Sequence, residues 1–204
     1  MSKKASTESN KPRKTVSLIL GSGGARGLAH IGVIQWLEEH NYDIQFISGS
    51  SMGALVGGMY AAGELDSFRR WFEKLSKTDI LSLTDIAWER SGLIKGETLF
   101  KEFEKLIGNP NIEDLHVPFT AVATDIENEK EVWLQKGPLL EAIRASIALP
   151  MIFTPVHDRD RVLIDGGVLN PIPIAPTFSQ RNDLTIAVNL GGKPPVSYTH
   201  LEPT

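Results

Sequence analysis

The sequence predicts an α/β protein with a mostly parallel sheet covered by helices on both faces. Three observations predict it. Short apolar, partly β-branched runs recur along the chain, and stretches with apolar residues at helical spacing lie between them. Three of the runs also end directly in glycine-rich turns. In such a sheet, functional residues collect at the carboxyl ends of the strands, which is where all three turns fall.

Residues 1–14 carry several lysines and one arginine but lack the long apolar core of a signal peptide, and they read as a disordered tail. Residues 16–20 form the first strand, stopped by Gly21, Gly23, Gly24 and Gly27. From 28 to 39, Leu28, Ile31, Val33, Ile34 and Leu37 recur at helical spacing, and a second strand follows at 44–48. That is a β-α-β unit. The second strand runs into Gly49-Ser50-Ser51-Met52-Gly53, and the small apolar residues 54–62 then read as a helix buried on most sides.

Residues 67–75 and 98–107 have the pattern of amphipathic surface helices. The loop between them, with Ser91-Gly92 and Lys95-Gly96, is expected to cover part of a site. Strands are predicted at 118–124 and 131–134, joined by a polar turn at 127–130, and a helix at 139–147 ends near Pro150. Beyond the apolar segment 151–153, a strand at 161–164 ends in Asp165-Gly166-Gly167, and a last strand spans 184–190.

With 204 residues the chain has room for one domain, expected over 15–191, followed by an irregular tail at 192–204. Another covering element is due after the last strand, yet only Gly, Pro and polar residues without helical periodicity follow, so the domain is expected to be truncated there. A net charge of -4 gives no whole-chain attraction to nucleic acid, which is not expected as a partner. The absence of cysteine excludes disulfides, thiolate metal sites and a cysteine nucleophile, and permits a reducing cytoplasm. No stretch approaches the roughly 20 apolar residues that cross a bilayer, so the expectation is a cytoplasmic protein with at most peripheral membrane contact. No metal and no cofactor is expected.

Gly49-x-Ser51-x-Gly53 between a strand and a helix has the form of a nucleophile elbow, in which small neighbours relieve a sharp backbone turn and expose the serine hydroxyl. Ser51 is the candidate nucleophile. Ser50 occupies the second position of the pattern, and its side chain should point away from the apex. The following helix aims its free N–H groups at the reacting centre, with the Met52 amide first among them.

The turn Gly21-Ser22-Gly23-Gly24-Ala25-Arg26-Gly27 lacks the Lys-[Ser/Thr] pair of a Walker A loop and places Arg26 where a dinucleotide fold wants glycine. An oxyanion hole needs the same convergent amides, and Gly23 and Gly24, then Ala25 and Arg26, are the candidate donors. The Arg26 side chain reads first as a pin for the loop through hydrogen bonds to its carbonyls.

Asp165-Gly166-Gly167 puts a carboxylate just past an apolar strand, where it lies beside the elbow if the two strands are near neighbours. A plain turn aspartate is the other reading. Histidine would be the usual base for a serine. His30, His40, His116 and His157 read as surface or helix residues, and only His200 follows Asp165 in the Ser, Asp, His order of an α/β-hydrolase. A Ser-Asp pair is therefore preferred.

With the three turns in this order, the chain resembles the patatin-like phospholipase family, particularly its bacterial branch, which is similar to the neuropathy target esterase catalytic domain. The likeness spans residues 16–191. Besides the turns it rests on Gly32, on Arg144-Ala145-Ser146 through Pro150, Phe153 and Pro155, and on Asn170-Pro171-Ile172-Pro173.

The resemblance implies a three-layer α/β/α fold and a Ser-Asp dyad without histidine, with Ser51 as nucleophile, Asp165 as proton acceptor and the glycine loop as oxyanion hole. It implies a lipid acyl hydrolase acting on phospholipids or lysophospholipids. Ser22 stands where the family commonly has the first glycine of its G-x-G-x-x-G motif. An apolar trough for acyl chains is expected from Leu149, Met151, Ile152, Phe153, Leu55 and Met59. An acyltransferase or thioesterase on the same fold, or a non-catalytic adaptor, are the rival readings.

Overall fold

The computed structural model describes residues 12–75 and 96–192. The described strands are β1 (Lys14–Leu20), β2 (Tyr42–Ser50), β3 (Phe119–Asp125), β4 (Lys130–Leu134), β5 (Val156–Asp158), β6 (Arg161–Asp165) and β7 (Leu184–Val188). The described helices are α1 (Ala29–Glu39), α2 (Met52–Ala61), α3 (Leu65–Lys74), α4 (Glu97–Ile107) and α5 (Leu139–Ser146). Fold class follows the sequence reading: a mixed α/β protein with a mostly parallel central sheet and helices around it.

In the parallel part, β1 pairs with β7 on one side and β2 on the other, and β2 pairs in turn with β3. All seven β3 residues and the last five of β1 are buried, as expected of strands covered on both faces. Val16, Leu18 and Leu20 of β1 share one apolar cluster with Ile31, Ile34 and Leu37 of α1, with most of α2, and with Phe68, Phe103 and Ile143 from the remaining helices. Fully burying a side chain of this size is worth about 1.5–3 kcal/mol, so this cluster fixes where the helices sit.

The register of β3 decides the position of the site. β4 pairs antiparallel with residues 121–125 of β3 and so occupies one edge along that length. β2 pairs with residues 119–122 and β6 with 123–125, which leaves both of them on the other edge. Parallel β2 and antiparallel β6 therefore run toward each other along one edge of β3. Ser50 lies opposite Val122 and Asp165 opposite Ala123, on successive rungs, so the carboxyl ends of the two strands meet.

Several boundaries differ from the sequence reading. β1 begins at Lys14, inside the predicted tail, because its backbone extends the pairing with β2 to Tyr42. Residues 1–11 and 193–204, including His200, lie outside the described residues, as do Ser91, Gly92 and Lys95 of the expected covering loop. The glycine turn is wound into a 3₁₀ helix, Gly24–Leu28, and α2 starts at Met52 directly after the elbow. The strand β5 escaped the sequence reading because three residues that include His157 and Asp158 show no apolar alternation.

Candidate active site

Ser51 sits between β2 and α2 with φ 57° and ψ -127°. A non-glycine residue held there is strained by about 1–3 kcal/mol, which the surrounding packing must offset. That packing is tight. A β-carbon on Gly53 would lie 2.0 Å from the Leu20 carbonyl oxygen at the end of β1, and one on Gly49 would lie 2.5 Å from the Gly53 carbonyl oxygen. The glycines of the G-x-S-x-G pattern are thus required by backbone pressed against backbone.

The Ser51 hydroxyl donates a hydrogen bond of 2.6 Å to Asp165 Oδ2. Asp165 Oδ1 accepts from the Gly167 amide at 2.7 Å, capping the 3₁₀ turn Gly166–Val168. Asp165 thus faces the elbow through one oxygen and caps its own turn through the other. Asp165 is only 3% exposed. Burial pushes its carboxyl above the ordinary carboxylate value, opposed by the bonds from Ser51 and Gly167. The pair joins a half-buried hydroxyl to a carboxylate made more basic than usual, an arrangement able to move a proton between them.

The glycine loop is pressed onto the elbow. A β-carbon on Gly27 would stand 2.2 Å from Met52 Cβ, and one on Gly167 would stand 2.8 Å from Ser22 Cβ, so all three turns are in contact. The Gly21 amide donates to the Val188 carbonyl at 3.1 Å and the Ser22 amide to the Pro171 carbonyl at 2.8 Å, tying the loop's first residues to neighbouring chain. Gly23 joins this tied part to the exposed Gly24 and Ala25. The Arg26 amide donates to the Gly23 carbonyl at 3.2 Å and is turned into the loop. Its side chain is exposed, and among the described residues it makes none of the bonds to loop carbonyls that the sequence suggested. The loop is held instead by His30.

His30 lies on α1, in keeping with its reading as a helix residue, and is completely buried. Its Nε2 lies 2.8 Å from the Gly21 carbonyl oxygen, and since a carbonyl only accepts, Nε2 carries the proton. Burial lowers its pKa, which keeps the ring neutral. His40, His116 and His157 are exposed, and among the described residues the partner of the Ser51 hydroxyl is Asp165. Ser50 is fully buried, its hydroxyl packed against Gly166.

Three contacts escaped the sequence reading. The Ser51 amide donates to Ser146 Oγ at 3.0 Å, and Ser146 Oγ donates to the Val122 carbonyl at 2.6 Å. Two residues further on, the Ala148 carbonyl accepts from the Asp165 amide at 2.9 Å. Ser146 entered the sequence reading only within the Arg144-Ala145-Ser146 segment that carries the resemblance, and its spacing alone, one polar residue at the end of an apolar helix face, assigned it no contact.

The expected acyl trough divides. Leu55 and Met59 belong to the buried core, since α2 is enclosed on nearly all sides. Leu149, Met151 and Ile152 are exposed, and Phe153 is half-buried beside Gly96. A cavity of about 560 Å³, lined by residues of β4, α5, β5 and β6, includes neither Ser51 nor Asp165. No group of three or more potential ligands able to hold a metal ion occurs among the described residues.

Fold and geometry define a class, α/β proteins in which an elbow serine on one strand end is hydrogen-bonded to a buried aspartate on another. The patatin-like phospholipase family model matches residues 18–178, and the chain belongs to that family. It is 51% identical over 184 residues to uncharacterized NTE family proteins of Mycobacterium bovis and Mycobacterium tuberculosis, a match that covers 90% of this chain and 51% of each relative. It is also 29% identical over 186 residues to Lysophospholipase NTE1 of Candida glabrata, covering 87% of this chain and 10% of that protein. The chain thus spans about half the length of the bacterial relatives it matches. Among solved structures, VipD from Legionella pneumophila shares the fold, with a TM-score of 0.59 at 16% identity over 78% of this chain and 46% of that one.

Proposed function

We propose that this chain hydrolyses acyl esters of lipids, with Ser51 as nucleophile and Asp165 as proton acceptor. The 2.6 Å hydrogen bond from the Ser51 hydroxyl to a buried carboxylate is the observation that supports this reading. Asp165 Oδ2 takes the hydroxyl proton as Ser51 Oγ attacks the ester carbonyl carbon, and the carbonyl electron pair moves onto its oxygen. The amides of Gly23, Gly24 and Met52 receive that oxyanion, aided by the positive end of α2. Collapse of the tetrahedral intermediate expels the alcohol, which leaves with the proton from Asp165. Water, deprotonated by Asp165, then attacks the acyl carbon, and as the ester bond to Ser51 breaks Asp165 returns the proton to Ser51 Oγ.

Phospholipids or lysophospholipids are the proposed substrates, in keeping with family membership and with the named activity of the fungal relative. Exposed Leu149, Met151 and Ile152 near the site suit an acyl chain or the surface of a lipid aggregate, which gives peripheral membrane contact a physical basis. Among the described residues no helix is long and apolar enough to cross a membrane.

The test is reaction with a fluorophosphonate probe, together with turnover of a p-nitrophenyl acyl ester. Wild-type protein should label on Ser51 and hydrolyse the ester, while folded Ser51→Ala and Asp165→Asn should lose at least about 10³-fold in rate. Retained turnover in either variant would sink the dyad. An adaptor would not label, and a transferase or thioesterase would label but prefer another acceptor or a thioester.

A further inference from the structure

We infer that Ser146 is a positioning residue for the reacting pair, and that the short segment from Ser146 to Ala148 holds the backbones of Ser51 and Asp165 at the separation their hydrogen bond needs. The inference rests on the reading of Ser51 and Asp165 as nucleophile and base. It concerns a residue that touches neither substrate nor the exchanged proton.

Ser51 lies in the left-handed region at the start of α2, where its amide has no helical partner. The acceptor is Ser146 Oγ at 3.0 Å. A hydroxyl has one hydrogen, and Ser146 commits it to the Val122 carbonyl at 2.6 Å, so the lone pairs of Oγ face the Ser51 N–H. Val122 is the β3 rung at which β2 ends, next to the rung at which β6 ends. The hydroxyl therefore references the nucleophile to the strand that both members of the pair are built on.

The other member is held from the same segment. The Ala148 carbonyl accepts from the Asp165 amide at 2.9 Å, so two acceptors two residues apart grip one amide of each reacting residue. Ser146 is fully buried, and its truncation would strip the Ser51 N–H and the Val122 carbonyl of this partner together. The elbow would relax from a strained backbone, and the 2.6 Å bond to Asp165 would lengthen. Misplacement by about 1 Å at a reacting centre can lower a rate about 10²-fold.

The test compares Ser146→Ala with wild type by fluorophosphonate labelling and by kcat and KM for a p-nitrophenyl acyl ester across pH. Ser146→Ala should label and turn over about 10–100-fold more slowly, with KM changed by less than about twofold. Its acid limb should also move to higher pH. The Ser51 hydroxyl bond opposes the upward push of burial on Asp165, and a weaker bond leaves that push less opposed. Among the described residues, the causes of the Asp165 shift are burial and the bonds from Ser51 and Gly167.

Ser48→Ala is the control, a fully buried β2 hydroxyl with no hydrogen-bond partner among the described residues, and it should leave both rate and acid limb unchanged. If Ser146→Ala does not fold, Ser146→Cys fills the same space with a weak donor and acceptor, and it should show the same two changes. A folded variant of either kind that labels at the wild-type rate overturns the inference. A rate loss with an unmoved acid limb overturns it also, since that is what a general structural defect would give. Failure of the wild-type protein to label would instead strike the reading of Ser51 and Asp165 themselves.

Discussion

Gly27→Ala tests whether the glycine loop must seat on the elbow for the chemistry to proceed. The new β-carbon would stand 2.2 Å from Met52 Cβ and 3.0 Å from its Cγ. Carbon atoms in contact sit about 3.5–4.0 Å apart, so the loop or the start of α2 must move by roughly 1.3–1.8 Å. An amide about 2.9 Å from an oxyanion would be carried beyond 4 Å, out of hydrogen-bond range. Losing one such donor costs about 2.7–4 kcal/mol of transition-state stabilisation, or about 10²–10³ in kcat.

The assay is turnover of a p-nitrophenyl acyl ester by folded protein, with thermal unfolding followed in parallel. Gly32→Ala is the matched control. It lies within α1, among the described residues nothing outside its chain neighbours and its own helix backbone lies within 4 Å of the new β-carbon, and alanine there should add up to about 1 kcal/mol of stability without touching activity. A folded Gly27→Ala protein with kcat within about threefold of wild type, under 1 kcal/mol of effect, would refute the reasoning.

Two further outcomes follow from the same geometry. Because burial raises the Asp165 pKa, the folded chain holds that proton more tightly than the unfolded chain, and this contribution to stability is lost as pH rises through the folded value. Asp165→Asn removes the buried charge and should melt higher than wild type at mildly alkaline pH. The gap should close as pH falls toward the ordinary value of 3.8, and an Asn variant that melts lower at alkaline pH would show the charge to be stabilising. Replacing exposed Leu149 and Ile152 with serine should raise KM for long-chain acyl esters and spare short-chain ones, checked with a chain-length series; equal effects on both would separate these residues from acyl binding.

What the sequence made legible was local. Gly49 and Gly53 are needed because of atoms within one turn and the neighbouring strand end, so the elbow could be recognised from five consecutive residues. The glycine loop and the Asp165 turn were readable for the same reason, each being a strand end followed by small residues. His30 was not, because its role depends on burial against the Gly21 carbonyl, which spacing alone does not reveal. Leu55 and Met59 look like trough residues until α2 is seen to be enclosed.

The convergence of Ser51 with Asp165 was the least legible feature, since it depends on strand direction. Apolar runs do not state whether a strand lies parallel or antiparallel to its neighbour, and the alternation of helices with strands favoured parallel neighbours. β6 instead runs antiparallel and takes up the edge of β3 exactly where β2 leaves off, so the strands need not pair with each other at all. Reversing the direction of β6 would carry Asp165 away from that junction while leaving every sequence motif intact. The geometry of the Ser51–Asp165 pair is therefore a property of β3, whose two halves pair with the two strands that carry these residues. The Val122 carbonyl at that junction is the atom to which Ser146 is bonded, which ties a residue that the sequence offered only as part of the Arg144-Ala145-Ser146 segment to the point where β2 and β6 meet.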